Sequence, residues 1–373
     1  MSAALAGWRG VPSGDSPFRE SKRTLSFRCR LFDFARFTLQ LFGNTNITAH
    51  EMVWLPFTVC VILFQFIVLA NQGYLACEVV RFVTWKRVVT AAVLIAVVVP
   101  LVLWASTAVV AIGVALITML ALFEYFAMGD AIGHRGYRAW TAACALLLIF
   151  VQWLPSVILV SDFGGYRVPP RLVWLFSRTF PTPTEVFFIF VLGTAGIVLY
   201  TKRPLVETLP AVGISASGLL FIAFPLTFAV RLHGRAPVGP VLLLFALVIT
   251  WAGDTTAYFI GRAIGRYPFA PHLSPKKTWE GAIGSMIGSM IVGAAFVRWL
   301  YAPLPVLLAM AAAGNIAGQA GDLLESAYKR SAGVKDSGAL LPGHGGVLDR
   351  IDALILAIPV VWYYWILIYS PRI

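Results

Sequence analysis

KRVVTAAVLIAVVVPLVLW, residues 86–104, decides how the rest of the chain is read. After Lys86 and Arg87 it carries no charge and shows none of the period-two alternation of a half-buried strand. Lipid offers backbone amides and carbonyls no partner, so an uncharged run that approaches about 20 residues crosses a bilayer as a helix. Working outward, comparable apolar windows lie near 53–71, 87–105, 107–128, 139–160, 185–200, 209–230, 238–260, 281–301, 303–320 and 351–370. The window at 185–200 is short, and 107–128 follows its predecessor with almost no loop. The expected fold is therefore all-α, a polytopic transmembrane bundle of about nine or ten membrane helices.

The composition agrees. Hydrophobic residues make up 59% of the 373 and charged residues 12%, with a mean hydropathy of +0.81. A soluble domain carries roughly 25% charged residues. The net charge of +12 raises the question of nucleic acid, but the bases lie between apolar segments. That is where topology-setting charges and binders of anionic head groups or phosphates sit, so nucleic acid is not an expected partner. The cysteines (Cys29, Cys60, Cys77, Cys144) show no paired spacing and suggest neither a disulfide framework nor a zinc site.

Bases also orient the chain. One set of loops holds Arg81, Lys86, Arg87, Arg135, Arg138, Lys202, Arg203, Arg262, Arg266, Lys276, Lys277, Lys329, Arg330, Lys335 and Arg350. The opposite set holds chiefly Arg167, Arg171, Arg178, Arg231 and Arg235. The richer side is expected to face the cytoplasm. The basic N-terminus fits that scheme only if 53–71 is a hairpin or a surface-lying segment. Residues 1–85 are therefore expected to be an extension with one extra hydrophobic segment, and residues 86–373 the membrane domain.

Three polar islands fall on the richer side. In WAGDTTAYFIGRAIGR, residues 251–266, Asp254 interrupts an apolar run, and an ionisable group inside a membrane helix is costly and usually functional. The competing reading is an acid satisfied by Thr255 or Thr256. In HLSPKKTWEG, residues 272–281, Ser274 and Pro275 suit the cap and first turn of a helix. Free amides there, with Lys276, Lys277, Thr278 and Trp279 alongside, would make an anion site. In GNIAGQAGDLLESAYKR, residues 314–330, Asn315, Gln319, Asp322, Ser326 and Arg330 share one helical face. Gly314, Gly318 and Gly321 on the neighbouring face would let another helix approach closely.

The third island runs on through GVKDSGALLPGHGGVLDRID, residues 333–352. Mg²⁺ takes oxygen ligands and often uses one or two carboxylates plus substrate phosphates. Asp322 and Asp349, at the ends of adjoining helices, are candidates to bracket such an ion, with Asp352 one helical turn from Asp349. His344, flanked by glycines, suits contact with a substrate and lacks partners for a zinc site.

SAYKRSAGVKDSGALLPGHGGVLDRID, residues 326–352, closely resembles the signature of the phosphatidate cytidylyltransferases, also called CDP-diglyceride synthases. The match runs through Ser326, Lys329, Arg330, Lys335, Asp336, Pro342, His344, Gly345, Gly346, Asp349, Arg350 and Asp352. Tyr328 departs from the aliphatic residue usual there. DTTAYFIGRAIGR, SPKKTWEG and GNIAGQAGDLLES look like other blocks of that family, and the resemblance spans residues 86–373. It implies the reaction of CTP with phosphatidate to give CDP-diacylglycerol and pyrophosphate. It also implies Mg²⁺ at Asp322 and Asp349, with a monovalent cation such as K⁺ beside it, in a pocket open to the cytoplasm and to lipid. A homodimer in a bacterial plasma membrane is the family expectation.

On that resemblance Asp352 and Asp254 assist at the metal, and Lys329, Arg330 and Lys335 join the catalytic set as phosphate-holding cations. Ser274, Lys276, Lys277, Thr278, Asn315, Gln319, Ser326, Asp336, His344 and Arg350 are expected to bind substrate. Two other readings compete. A transporter would spread polar residues along a path through both membrane halves and repeat its segments; here charge gathers on one side. A CTP-dependent kinase or transferase acting on another lipid would keep the chemistry and change the acceptor.

Overall fold

A computed structural model of the chain describes residues 96–159, 181–338 and 345–369, all within one compact unit, Pro56–Ile373. The extension expected over 1–85, the window at 53–71 and His344 lie outside the described residues.

After a helical segment at 96–104, α1 (Thr107–Ala131) starts at Ser106, whose hydroxyl accepts from the Val109 amide at 3.5 Å. α2 (Arg138–Leu159) follows. α3 (Pro183–Tyr200) opens with a capping box between Thr182 and Glu185. α4 (Leu205–Gly218) runs through a π turn, Leu219–Ala223, into α5 (Phe224–His233). α6 (Gly239–Ile264) leads to a two-stranded antiparallel hairpin, β1 (Pro268–Ala270) and β2 (Ser274–Thr278). Then come α7 (Trp279–Ala294), α8 (Val297–Leu300), α9 (Leu304–Ser331) and α10 (Leu348–Tyr364), the last closing in a π turn, Trp365–Tyr369.

Among the described residues, seven segments are long and apolar enough to cross a membrane: α1, α2, α3, α4 with α5, α6, α9, and α10 with its π turn. The fold is an all-α polytopic bundle, as expected. The window at 281–301 accounts for part of the difference in number. It resolves into the 16-residue α7 and the short α8. At 1.5 Å per residue α7 reaches about 24 Å, less than the roughly 30 Å of hydrocarbon.

α6, α7, α9 and α10 pack together, and α5 and α10 join them to α1, α2 and α3. Small residues carry the close contacts. A Cβ on Gly321 of α9 would collide with the Asp352 carbonyl oxygen of α10, a backbone atom that cannot turn aside. The polar stripe of α9 knits the α7–α9 contact. Asn315, 4% exposed, donates through Nδ2 to Ser285 Oγ and Ser289 Oγ, each at 2.9 Å. Gln319 Nε2 donates to the Ala282 carbonyl at 3.1 Å and to Asn315 Oδ1 at 2.7 Å, while Ser289 Oγ donates to the Ile249 carbonyl of α6. Three helices thus share one chain of interhelical hydrogen bonds, which is strong glue where lipid competes for none of them. Asn315→Ala should lower the thermal midpoint in detergent, at a cost of about 1 kcal/mol. An unchanged midpoint would deny the network its structural role.

The contacts run antiparallel through α6, α7, α9 and α10, so one end of the bundle gathers the start of α7, the hairpin, the end of α9 and the start of α10. The Val347 and Leu348 amides donate to Glu124 and bring the end of α1 to the same end, and Arg203, after α3, donates to the Arg135 carbonyl of the α1–α2 turn at 2.8 Å. Most bases of the described residues lie there; the opposite end holds Arg231, Arg235 and Arg298.

Candidate active site

The hairpin changes the reading of the SPKKT block. Ser274 does not cap a helix, and Pro275 does not begin one; both lie in β2. The cap is Thr278, in extended conformation, whose Oγ1 accepts from the Gly281 amide at 3.2 Å. Pairing across the hairpin decides this. The Trp279 amide donates to the Tyr267 carbonyl at 2.9 Å, and the Tyr267 amide donates back to the Glu280 carboxylate at 3.3 Å. Amide hydrogen bonds, the first from its own backbone, hold the exposed Glu280 carboxyl below its ordinary range. The strand also separates the two lysines, because successive side chains leave a strand on opposite faces. Lys277 pairs with Asp322 of α9, while Lys276 is exposed with no partner among the described residues.

Asp322 is one of three acids that converge. Asp254 of α6 and Asp352 of α10 lie within electrostatic reach of it and of each other, and Lys277 and Arg350 are the bases that face Asp254. Asp254 is exposed, although other charged groups of the bundle crowd around it. Neighbouring threonines do not satisfy it: Thr255 and Thr256 return their hydroxyls to the carbonyls of Trp251 and Ala252.

Asp349 stands apart from this trio. Its Oδ2 accepts from the Ser337 amide at 2.9 Å, the Gly346 amide at 2.8 Å and Ser337 Oγ at 3.0 Å. Its Oδ1 takes the Lys329 ammonium at 2.6 Å. Lys329 also pairs with Glu325, which is 3% exposed and has no other donor among the described residues. Lys329 is thus a bridge between two carboxylates in the structure, not a free phosphate-holding cation. The charged groups form a row: the acids Asp254, Asp322 and Asp352, then Glu325 and Asp349 with Lys329 between them. Asp322 and Asp349 belong to its two halves, each holding its own lysine.

Two glycines make the Asp349 half possible. Gly345 has φ +77°, and a Cβ there would stand 2.7 Å from Asp349 Oδ2. A Cβ on Gly346 would collide with Ser337 Oγ and with Glu124 Oε2. Glu124, on α1, escapes a search for clustered charge because its apolar helix carries only one other acid, Asp130, well removed from it. Like Asp254, Glu124 is an ionisable group inside an apolar membrane helix, and that alone marks it.

The remaining candidates spread around the row. Arg330 is occupied with the hairpin turn and its own loop, donating to the carbonyls of Leu273 at 3.4 Å and Val334 at 3.2 Å. Ser326 is buried, and Asn315 and Gln319 lie in the helix interface. Lys335 and Asp336 are exposed with no partner among the described residues, and Arg350 is exposed at the start of α10. The exposed cations best placed to meet an anion are therefore Lys276 and Lys335, while Arg350 is exposed beside Asp254.

Among the described residues, no three acids, histidines or cysteines stand in a preformed metal-holding geometry. The donor chemistry nonetheless suits a hard divalent cation. Three converging carboxylates outnumber the two bases beside them, and Mg²⁺ needs only one or two carboxylates when substrate phosphates complete its shell.

With the geometry in hand, comparison with known proteins is informative. A family model described as cytidylyltransferase family matches residues 85–368. The phosphatidate cytidylyltransferase of Haemophilus influenzae is 31% identical over 269 residues, covering 65% of this chain and 90% of that protein. The Bacillus subtilis protein of the same name is 33% identical over 245 residues, 58% of this chain and 91% of its own length. The Brucella abortus protein so named is 40% identical over 165 residues, and that alignment spans 60% of its length.

Proposed function

The chain belongs to the cytidylyltransferase family, and from that membership we propose that it transfers the cytidylyl group of CTP to phosphatidate, forming CDP-diacylglycerol and pyrophosphate. The observation that carries the reading is the row of carboxylates and lysines at one end of a membrane bundle, where Asp254 is exposed and Asp322 and Asp352 are partly so. Relatives that align over nine-tenths of their own length bear the name of this activity. The excess of bases at the same end supports a cytoplasmic orientation, where CTP is available.

In this mechanism an oxygen of the lipid phosphate attacks the α-phosphorus of CTP in line. The new phosphorus–oxygen bond forms as the bond to the β-bridging oxygen breaks, and pyrophosphate leaves with the electron pair. A phosphate monoester with a second pKa near 6 is already largely a dianion, so no residue need act as general base. Rate then comes from alignment and from neutralising charge. Mg²⁺ held by Asp322 and Asp349, with Asp352 and Asp254 alongside and a monovalent cation as a further companion, would supply that neutralisation. Lys276, Lys335 and Arg350 hold phosphates electrostatically. Lys277 and Lys329 keep the acids oriented until substrate arrives and can then exchange a carboxylate for a phosphate oxygen. Trp279, exposed beside Lys277, offers a ring on which a base can stack.

Purified protein in micelles, given CTP, Mg²⁺ and a panel of acidic lipids, should release pyrophosphate only with phosphatidate. Equal release with a polyprenyl phosphate, or none with phosphatidate, would count against the acceptor assignment.

A further inference from the structure

Glu124 has no place in the mechanism above, yet it is the most elaborately bonded acid of the N-terminal helices. It sits near the end of α1, 4% exposed, in a helix with few other charges. Its Oε1 accepts from the Val347 amide at 2.8 Å. Its Oε2 accepts from the Leu348 amide and from Ser337 Oγ, each at 2.9 Å. Val347 and Leu348 are the cap and first residue of α10, whose opening amides have no partner within the helix. Val347 has no side-chain oxygen to cap them, so a carboxylate from another helix does so, at the end where the helix dipole favours negative charge.

We propose that Glu124 is a positioning residue that holds Asp349 in its working orientation; this rests on the reading of Asp349 as a site acid. The link is short. Ser337 Oγ lies 2.9 Å from Glu124 Oε2 and 3.0 Å from Asp349 Oδ2, so one hydroxyl proton is shared between the two acids. Glu124 fixes Ser337 and residues 347–348, while Ser337 and Gly346 clamp Asp349 Oδ2 through their amides. That leaves Oδ1, partnered only by the flexible Lys329, as the oxygen available to a ligand. Among the described residues the donors to Glu124 are Ser337, Val347 and Leu348, so its influence on the site passes through Ser337 and the start of α10. Packing alone does not call for it. A buried carboxylate in a membrane helix is costly, and a local serine or aspartate at position 347 would cap α10 without it.

The test uses the full-length protein in micelles. In Glu124→Gln the amide nitrogen must face either the Val347 amide or the Leu348 amide and Ser337, so a donor meets a donor. Hydrogen exchange of peptides covering residues 345–352 should quicken by about tenfold or more while α6 peptides are unchanged. The kcat should fall roughly 10- to 100-fold, the range for groups that orient metal ligands, with KM for CTP within about twofold. Glu124→Asp, which keeps the charge, should recover part of both. Unchanged exchange at 345–352 with normal kcat in the glutamine variant would overturn the proposal. So would equal loss in both variants with faster exchange throughout, which would mark a merely structural acid. If the parent proves inactive on phosphatidate, the reading of function fails, and the exchange measurement still decides the role of Glu124.

Discussion

Asp322→Asn and Asp349→Asn should each reduce incorporation of labelled CTP into lipid by roughly 10²- to 10³-fold or more. In the proposed mechanism either change removes a charge from a site that neutralises phosphates, and losing a metal ligand would cost several kcal/mol of transition-state stabilisation. The two should differ in stability. Asp322 is half-buried and, among the described residues, pairs only with Lys277, so its asparagine variant should insert and melt like the parent. Asp349 is 8% exposed and satisfies Lys329, Ser337 and Gly346 together. An asparagine there sets an amide N–H against one of those donors, at about 1–3 kcal/mol. Midpoints in detergent separate the two cases, and near-normal turnover in both variants would remove these acids from the site.

Gly321→Ala should be the most damaging change that adds no charge. The new methyl meets the Asp352 carbonyl oxygen, so α9 and α10 must move apart at the level of Asp322 and Asp352. Overpacking of this kind costs about 1–3 kcal/mol. Displacing reacting groups by about 1 Å can cost on the order of 10²-fold in rate. Gly314→Ala, two helical turns away, is the control. Its methyl would press on the side-chain ends of Ile249, at 2.8 Å, and Val361, at 3.2 Å, which can shift without moving an acid. Stability should fall in both variants and activity chiefly in the first. Full activity in Gly321→Ala would mean that the α9–α10 spacing does not set the site.

The helices were legible because apolar length and the absence of alternation are properties of a single segment. Thr107–Ala131 and Gly239–Ile264 follow directly from such runs. The three islands were legible too, since charge is scarce enough in this chain to stand out. Contacts between segments were not legible. Ser274-Pro275 has the composition of a helix start, and only the pairing of Tyr267 with Trp279 and Glu280 moves that start to Thr278. Lys277 and Asp322 are 45 positions apart, and Glu124 and Leu348 are 224 apart. No local pattern states that either pair meets. Asn315 and Gln319 share the face of Asp322, as their spacing requires. The depth at which they lie, against Ser285 and Ala282 of α7, sets them in the helix contact.

Cytidylyl transfer requires attack at the α-phosphorus of CTP, and position-labelled nucleotide tests this directly. With purified protein, phosphatidate and Mg²⁺, label at the α-phosphorus should enter the lipid while label at the γ-phosphorus leaves in pyrophosphate. Label from the γ-position appearing in lipid would identify a kinase built on the same bundle and would contradict cytidylyl transfer.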